Sequence, residues 1–318
     1  MKRALTPLLL AALLESLASL GLAAYPDRPV QIIVPWWAPG GDTDAIKRVF
    51  AEIARKYFPE PLVVVNVTGA SGTEGARRAR HAPPDGYTLY STHDYLHTTY
   101  HTGVSDVSYR DFDPICLATS TPSVLAASPN APWRSFQELV ADSRKRPGEI
   151  RVGAAPGSTS HFFTALVERE AGVKWRYVGY EETALRTTAL MGNHIDLAET
   201  TLAQLGRARA GQMKFLAIAA EKRHPAAPDL PTLRELGINV TYAVNRGFLA
   251  PKGTPEAVLA RLEELCAKVT GDRAFAEAMA KQGTEVRFLG RKAYAGFLEG
   301  RDALTAELAR SLGYAPKP

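Results

Sequence analysis

Cysteine is nearly missing from this chain, and past its first two dozen residues so is any long hydrophobic run. Only Cys116 and Cys266 occur in 318 residues, which excludes the disulfide framework of a small secreted scaffold. Two separate buried thiols are the expectation, with one disulfide in an oxidising compartment as the alternative. No later segment approaches the roughly 20 apolar residues that a membrane-spanning helix needs. A dense basic stretch interleaved with aromatics is also lacking. The formal charge of +5 is scattered over pairs and triplets such as Arg77-Arg78, Arg144-Lys145-Arg146, Arg207 and Arg209. That describes a mildly basic solvated surface, which points away from nucleic acid and favours anionic solutes. Internal repeats and low-complexity tracts are absent.

What is present begins with a leader. Met1-Lys2-Arg3 precedes apolar stretches (Ala4 to Leu14, Leu17 to Leu22) broken by Glu15, then Ala23-Ala24 and Tyr25-Pro26-Asp27. A basic start, a short apolar core and small residues before a polar turn read as a signal peptide over residues 1–24, cleaved near Ala24. The run is too short and broken to serve as a membrane anchor. With no cysteine at the junction, the mature chain is expected to be exported, soluble and free of a lipid anchor. Its composition, 46% hydrophobic and 22% charged, is that of an ordinary globular protein with enough chain for two domains.

Apolar β-rich runs alternate with amphipathic helical patterns, which predicts an α/β protein with mainly parallel sheets flanked by helices. Polar, proline-rich breaks at Ser120-Thr121-Pro122 and Ser128 to Pro132, matched by one near Asn239 to Pro251, suggest two crossings between lobes. The expected division is residues 25–123 plus 247–318 as one lobe and 124–246 as an inserted second lobe. The C-terminal helices are then free to pack across both, and a ligand would lie between the lobes.

Two strand–glycine-turn–helix units stand close together in the first lobe. One runs from Val30-Gln31-Ile32-Ile33-Val34 through Pro39-Gly40-Gly41-Asp42-Thr43-Asp44 into a helical pattern. The other runs from Pro61 to Val65 through Asn66-Val67-Thr68-Gly69-Ala70-Ser71-Gly72-Thr73 into a second helix. Each turn presents free backbone N–H groups and the positive end of a helix dipole. Two such turns at the carboxyl ends of adjacent parallel strands make a crevice for a carboxylate or phosphate.

The order of motifs resembles one family over nearly the whole mature chain. The landmarks are Tyr25-Pro26-Asp27-Arg28-Pro29, Pro39-Gly40-Gly41 with Asp44 and Arg48, Gly69-Ala70-Ser71-Gly72, and Pro83-Pro84-Asp85-Gly86-Tyr87-Thr88-Leu89. They continue with Asp111-Phe112-Asp113-Pro114-Ile115, Gly157-Ser158-Thr159-Ser160-His161, Gly211-Gln212-Met213-Lys214, Pro231-Thr232-Leu233-Arg234-Glu235 and Gly247-Phe248-Leu249-Ala250-Pro251. The chain is similar to the periplasmic solute-binding proteins of tripartite tricarboxylate transporters, the TctC-like or Bug family. That resemblance implies a two-lobed Venus-flytrap receptor in the periplasm, monomeric, without cofactor or catalytic residues. It would bind a small aliphatic or aromatic carboxylate and hand it to integral-membrane permease subunits. It also implies that Gly41, Thr43, Ala70 and Ser71 form the carboxylate clamp, with Asn66 opening the second turn. Three departures stand out: an extra residue in Pro35-Trp36-Trp37-Ala38-Pro39, an acid at Asp42, and Glu181 after Val178-Gly179-Tyr180, where a cation is frequent.

Other candidates carry a sharp and a bland reading. Trp36 and Trp37 wall the pocket or pack elsewhere. Asp42 and Asp44 are a metal pair or, at a helix start, a cap and dipole partner. His93, His97 and His101 recur every four residues, which on a helix would align them for zinc; a loop or short helix with His93 or Asp94 reaching the ligand is the reading adopted. Ser158 and Thr159 look like a helix N-cap with donors left for the ligand's far end. Tyr180 and Arg246 complete the second-lobe and hinge candidates, Arg246 being suited to bidentate carboxylate recognition. Ser71 lacks the spacing of a nucleophile elbow, so an exported hydrolase is the weakest reading. A sensor presenting its ligand to a membrane kinase is the other alternative.

Overall fold

The computed structural model describes residues 25–35, 41–69, 72–180 and 183–315; the expected signal peptide falls outside them. From the N-terminus come β1 (Val30–Val34), α1 (Asp42–Ala54), β2 (Leu62–Asn66), α2 (Thr73–Arg80), β3 (Thr88–Thr92), α3 (Tyr95–His101) and β4 (Phe112–Pro122). The middle of the chain supplies β5 (Val124–Ala127), α4 (Phe136–Lys145), β6 (Arg151–Ala154), α5 (Thr159–Ala171), β7 (Arg176–Gly179), α6 (Thr183–Met191), β8 (Leu197–Thr200), α7 (Leu205–Arg209) and β9 (Lys214–Ile218). The last part holds β10 (Ala243–Pro251), α8 (Glu256–Gly271), α9 (Arg273–Lys281), β11 (Glu285–Leu289) and α10 (Arg291–Ser311).

Two sheets result, one ordered β11-β4-β10-β3-β1-β2 and the other β7-β6-β8-β5-β9. Past the exposed Gln31, β1 is covered on both faces, so Ile32-Ile33-Val34 reads as an apolar run rather than an alternating one. Val30, Ile32 and Val34 join one core cluster while Ile33 joins the cluster on the opposite face. α1 turns Ile46, Phe50, Ile53 and Ala54 onto the first of these, the three-and-four spacing of one helical face. A separate cluster built on Val152, Phe163, Leu197 and Leu216 fills the second lobe.

The two sheets are the expected α/β layers flanked by helices, with some strands in each running against the rest. β1 runs parallel to β2 and β3, and β6 parallel to β7 and β8, but β10 is antiparallel to β3 and β4, and β5 antiparallel to β8 and β9. The cause is the double crossing: the chain leaves the first sheet on β4 and returns on β10, and an outgoing strand beside a returning one runs antiparallel. β10 already pairs with β4 from Ala243, ahead of the lobe boundary expected at residue 247. β4 and β10 outrun the apolar segments at Ile115 to Ala118 and Gly247 to Leu249, because Ser120, Thr121, Asn245 and Arg246 find partners inside the ladder. The stretch from Pro231 to Leu236 forms turns, tied back through a bridge between Ile218 and Thr232.

The thiol expectation is corrected. Cys116 on β4 and Cys266 on α8 form a disulfide, although 150 residues separate them in sequence. α8 packs on the face of β4 where Cys116 is buried, so folding closes a gap that sequence spacing could not reveal. α10 touches both lobes: Tyr294 and Leu298 lie in a first-lobe cluster, while Ala309, with Leu308, Leu312 and Tyr314 beside it, belongs to the second-lobe core.

Candidate functional site

The carboxyl ends of β1, β2 and β3 share one edge of the first sheet, and α1 and α2 begin there. Gly247 of β10 pairs with Thr92, which brings Arg246 to the same edge beside His93. An edge where parallel strands end and helices start is where ligands settle in open α/β sheets.

Gly41 is the N-cap of α1, extended at φ −90°, and no side chain caps the helix. Its first N–H groups are thus not consumed by a capping side chain. Behind them Asp44 accepts from Asn66 Nδ2 (2.9 Å) and Arg48 Nε (2.9 Å), while Arg48 donates to Asn66 Oδ1 (3.0 Å). This triangle ties the end of β2 to α1, so Asp44 and Asn66 fix the frame of the turns.

The second turn depends on glycine. Gly69 (φ +124°) and Gly72 (φ +87°) are left-handed, and Gly72 N–H donates to Gly69 O at 3.0 Å. A Cβ on Gly75 would lie 2.7 Å from Pro35 Cβ and 2.8 Å from Val67 O, so glycine lets α2 press against the end of β1. Thr73, the first residue of α2, is 1% exposed. Its hydroxyl is buried without a hydrogen-bond partner among the described residues.

Arg246 anchors the hinge side. Buried, it donates from Nε to Thr43 Oγ1 (2.9 Å) and from Nη1 to Thr121 Oγ1 (2.7 Å), with Nη2 4.0 Å from Asp42 Oδ2. Lys47, fully buried, donates to Gly247 O (3.1 Å) and lies over the Phe248 ring. Burial, reinforced by the nearby Arg246 charge, holds its pKa well below the usual lysine value. The same two causes push His93 down to about 3, so its imidazole is neutral near pH 7. Its Nδ1 accepts from Tyr95 N–H at 3.2 Å. Asp94 is committed to the hinge: it accepts from Asn245 N–H (2.6 Å), the Asn245 side-chain amide and Arg301 Nε (2.8 Å). Its part is to brace β10 against α10.

The second lobe meets this edge with buried side-chain charge. Ser123 donates to Glu199 Oε1 (3.0 Å) and Arg186 to Glu199 Oε2 (3.0 Å), all three buried. Burial raises the Glu199 pKa despite the arginine. Thr201, just past β8, donates to Asp42 Oδ2 at 3.0 Å, a direct bond between lobes. Asp42 therefore faces the other lobe rather than capping its own helix. Ser158 occupies the N-cap of α5, but its hydroxyl pairs with Ser160 (2.8 Å) instead of the helix backbone. Thr159 opens that helix half-buried. Tyr180 packs, partly buried, against the cluster around Ile195.

The structure thus brings Gly41, Thr43, His93 and Arg246 to one edge, sets Asn66 and Asp94 as supports, and leaves Ser158, Thr159 and Tyr180 on the second lobe. Trp36, Trp37, Ala70 and Ser71 lie outside the described residues. The histidine series divides: His97 and His101 converge on Asp302 (3.3 and 2.8 Å), which also pairs with Arg110, whereas His93 sits at the hinge. Among the described residues no cluster of three or more histidine, cysteine, aspartate or glutamate side chains is placed to hold a metal. Sequence reasoning passed over Lys47, Thr121, Ser123, Arg186, Glu199 and Thr201. The available signal was an acid, Glu199, inside the buried run Leu197-Ala198-Glu199-Thr200, which demands a cation nearby.

Comparison with known proteins agrees along most of the chain. Residues 46–313 match the model of the tripartite tricarboxylate transporter family receptor, TctC. BugT of Bordetella pertussis is 31% identical over 291 residues, spanning 86% of this chain and 88% of that one. The periplasmic binding protein BugD superposes with a TM-score of 0.84 at 30% identity, covering 92% of this chain and all of that one. R. palustris Rpa4515, solved with adipate, gives 0.85 at 27% identity over 92% of this chain and all of that one.

Proposed function

The chain belongs to the tripartite tricarboxylate transporter receptor family, and from that premise we propose that it is a periplasmic receptor, not an enzyme. It binds a small carboxylate between its lobes and delivers it to a tripartite-type membrane permease. The observation that carries this reading is the Thr73 hydroxyl, buried at the start of α2 beside the left-handed Gly69 and Gly72 and unpartnered among the described residues. A buried hydroxyl without a partner is costly, and a ligand oxygen there would satisfy it while the helix N-terminus stabilises its charge.

In this reading Gly41, Thr43, Ala70 and Ser71 hold the carboxylate through amides and hydroxyls. Trp36, Trp37 and His93 line the first-lobe side; Ser158, Thr159 and Tyr180 meet the remainder of the ligand. Arg246 contributes its charge from the hinge, with Asn66 and Asp94 as supports. The proposed lobes are residues 25–123 plus 247–318 and 124–246, joined by the crossings on β4–β5 and β10. The leader over residues 1–24 directs export, and the Cys116–Cys266 disulfide suits an oxidising compartment.

Closure follows only if the ligand binds the closed form better than the open one. Small-angle scattering of the chain from Tyr25 onward, titrated with a tight carboxylate ligand, should show a reduced radius of gyration. An unchanged radius at saturation would remove closure from the account.

A further inference from the structure

Asp42 stands at the start of α1 in the first lobe, yet its carboxylate is turned to the second. Oδ2 accepts from Thr201 at 3.0 Å and lies 4.0 Å from Arg246 Nη2. Asp44, two residues on, is by contrast consumed within its own lobe by Arg48 and Asn66. Across the boundary, Glu199 is buried with Arg186 and Ser123, and the Asp42 charge acts on both members of that pair. The groups meeting there are two arginines, Arg186 and Arg246, and two carboxylates, Asp42 and Glu199. The protein's own acids already balance the cations that an incoming anion would seek.

We propose that Asp42 is a specificity-determining residue that excludes ligands with a second carboxylate, so that the cleft takes a monocarboxylate whose far end is uncharged and hydrogen-bonding. This rests on the carboxylate-receptor reading and narrows it. A second ligand carboxylate brought to this boundary would meet the Asp42 charge in a partly desolvated cleft, where like charges repel strongly. A primary amide of the same shape would donate to Asp42 instead. Thr201 adds a bond between lobes but no charge, so within that bonded pair the exclusion belongs to Asp42.

The test is isothermal titration of the chain from Tyr25 onward with matched pairs: succinate, glutarate, adipate and terephthalate, each against its monoamide. The expected result is a monoamide that binds roughly tenfold to a hundredfold tighter than its diacid. Asp42→Asn should bring that ratio near or below one, while Thr201→Val should leave it in place. The coupling between residue and ligand charge is then read as a double-mutant cycle. A wild-type protein that prefers diacids, or an Asp42→Asn variant with an unchanged ratio, would overturn the inference while leaving the carboxylate reading standing. Binding of no acid or monoamide by a cooperatively melting protein would overturn both. Circular dichroism of Asp42→Asn confirms that the altered ratio is read on a folded chain.

Discussion

The two walls that meet at the cleft are built from different materials. The first-lobe wall is largely backbone: two glycine turns, two helix starts without capping side chains, and hydroxyls at Thr43 and Thr73. The second-lobe wall is side chain: the buried Arg186–Glu199 pair, met by Ser123 from the crossing, and Thr201 reaching across to Asp42. Backbone N–H groups stabilise any carboxylate in the right place, whatever it is attached to. Buried charged side chains discriminate, because leaving one unpaired is expensive. The comparison therefore separates the part of the protein that captures a chemical class from the part that selects within it.

Breaking the side-chain wall should have the largest effect. Arg186→Ala strands the Glu199 carboxylate in a dry site, and removal of one partner of such a pair costs about 3–5 kcal/mol; urea unfolding should show this as a lowered midpoint. A loss within experimental error would mean that the pair is solvated.

Next comes the pH response of the hinge. His93 is held down at about 3 in the folded protein, whereas an unfolded chain protonates histidine near pH 6.5 or so. The unfolded state then binds the extra proton, so this contribution to stability is full above about pH 6.5 and is lost as pH falls toward 3. His93→Asn, neutral throughout, should flatten the stability profile across that window. An unchanged slope would show that the imidazole is not desolvated.

The backbone wall should respond in affinity rather than stability. Thr73→Val removes a buried hydroxyl that makes no bond among the described residues, so the melting temperature should hold or rise slightly. Carboxylate affinity should drop roughly tenfold, the worth of one hydrogen bond to a charged group. Equal losses in both would assign the hydroxyl a structural partner. An effect of about the same size belongs to Thr201→Val, which deletes one neutral-to-charged bond between lobes and should cost about 1.5 kcal/mol. Scattering of the ligand-free variant should show a slightly larger radius of gyration.

How much of this was legible in the sequence follows the same division. The glycine turns could be read because glycine at a strand–helix junction has a local backbone meaning, and β1 and the helix entered at Thr73 follow as read. The alternation of strand and helix likewise announced the two-lobed α/β class. The second wall was hidden because its partners are far apart in the chain: Ser123 meets Glu199 and Asp42 meets Thr201 only after the lobes are in place. Cys116 and Cys266 were misread for the same reason. Helix α3 was obscured by its polar, aromatic composition, since the charge that satisfies His97 and His101 arrives from Asp302 on α10, itself paired with Arg110. Which strands run against their neighbours was not legible, because an apolar run carries no sign of which way its neighbour travels.

The central claim is that the first-lobe turns capture a carboxylate. Its most direct test is a thermal-shift screen of the chain from Tyr25 onward against aliphatic and aromatic carboxylates, each paired with the alcohol in which that carboxylate is reduced. The account predicts a rise in melting temperature with at least one carboxylate, no rise with its alcohol, and recovery of the ligand unaltered. At a ligand concentration of about a hundred times Kd the stabilisation should approach roughly 2.7 kcal/mol. An equal rise with the alcohol, or conversion of the ligand, would contradict it.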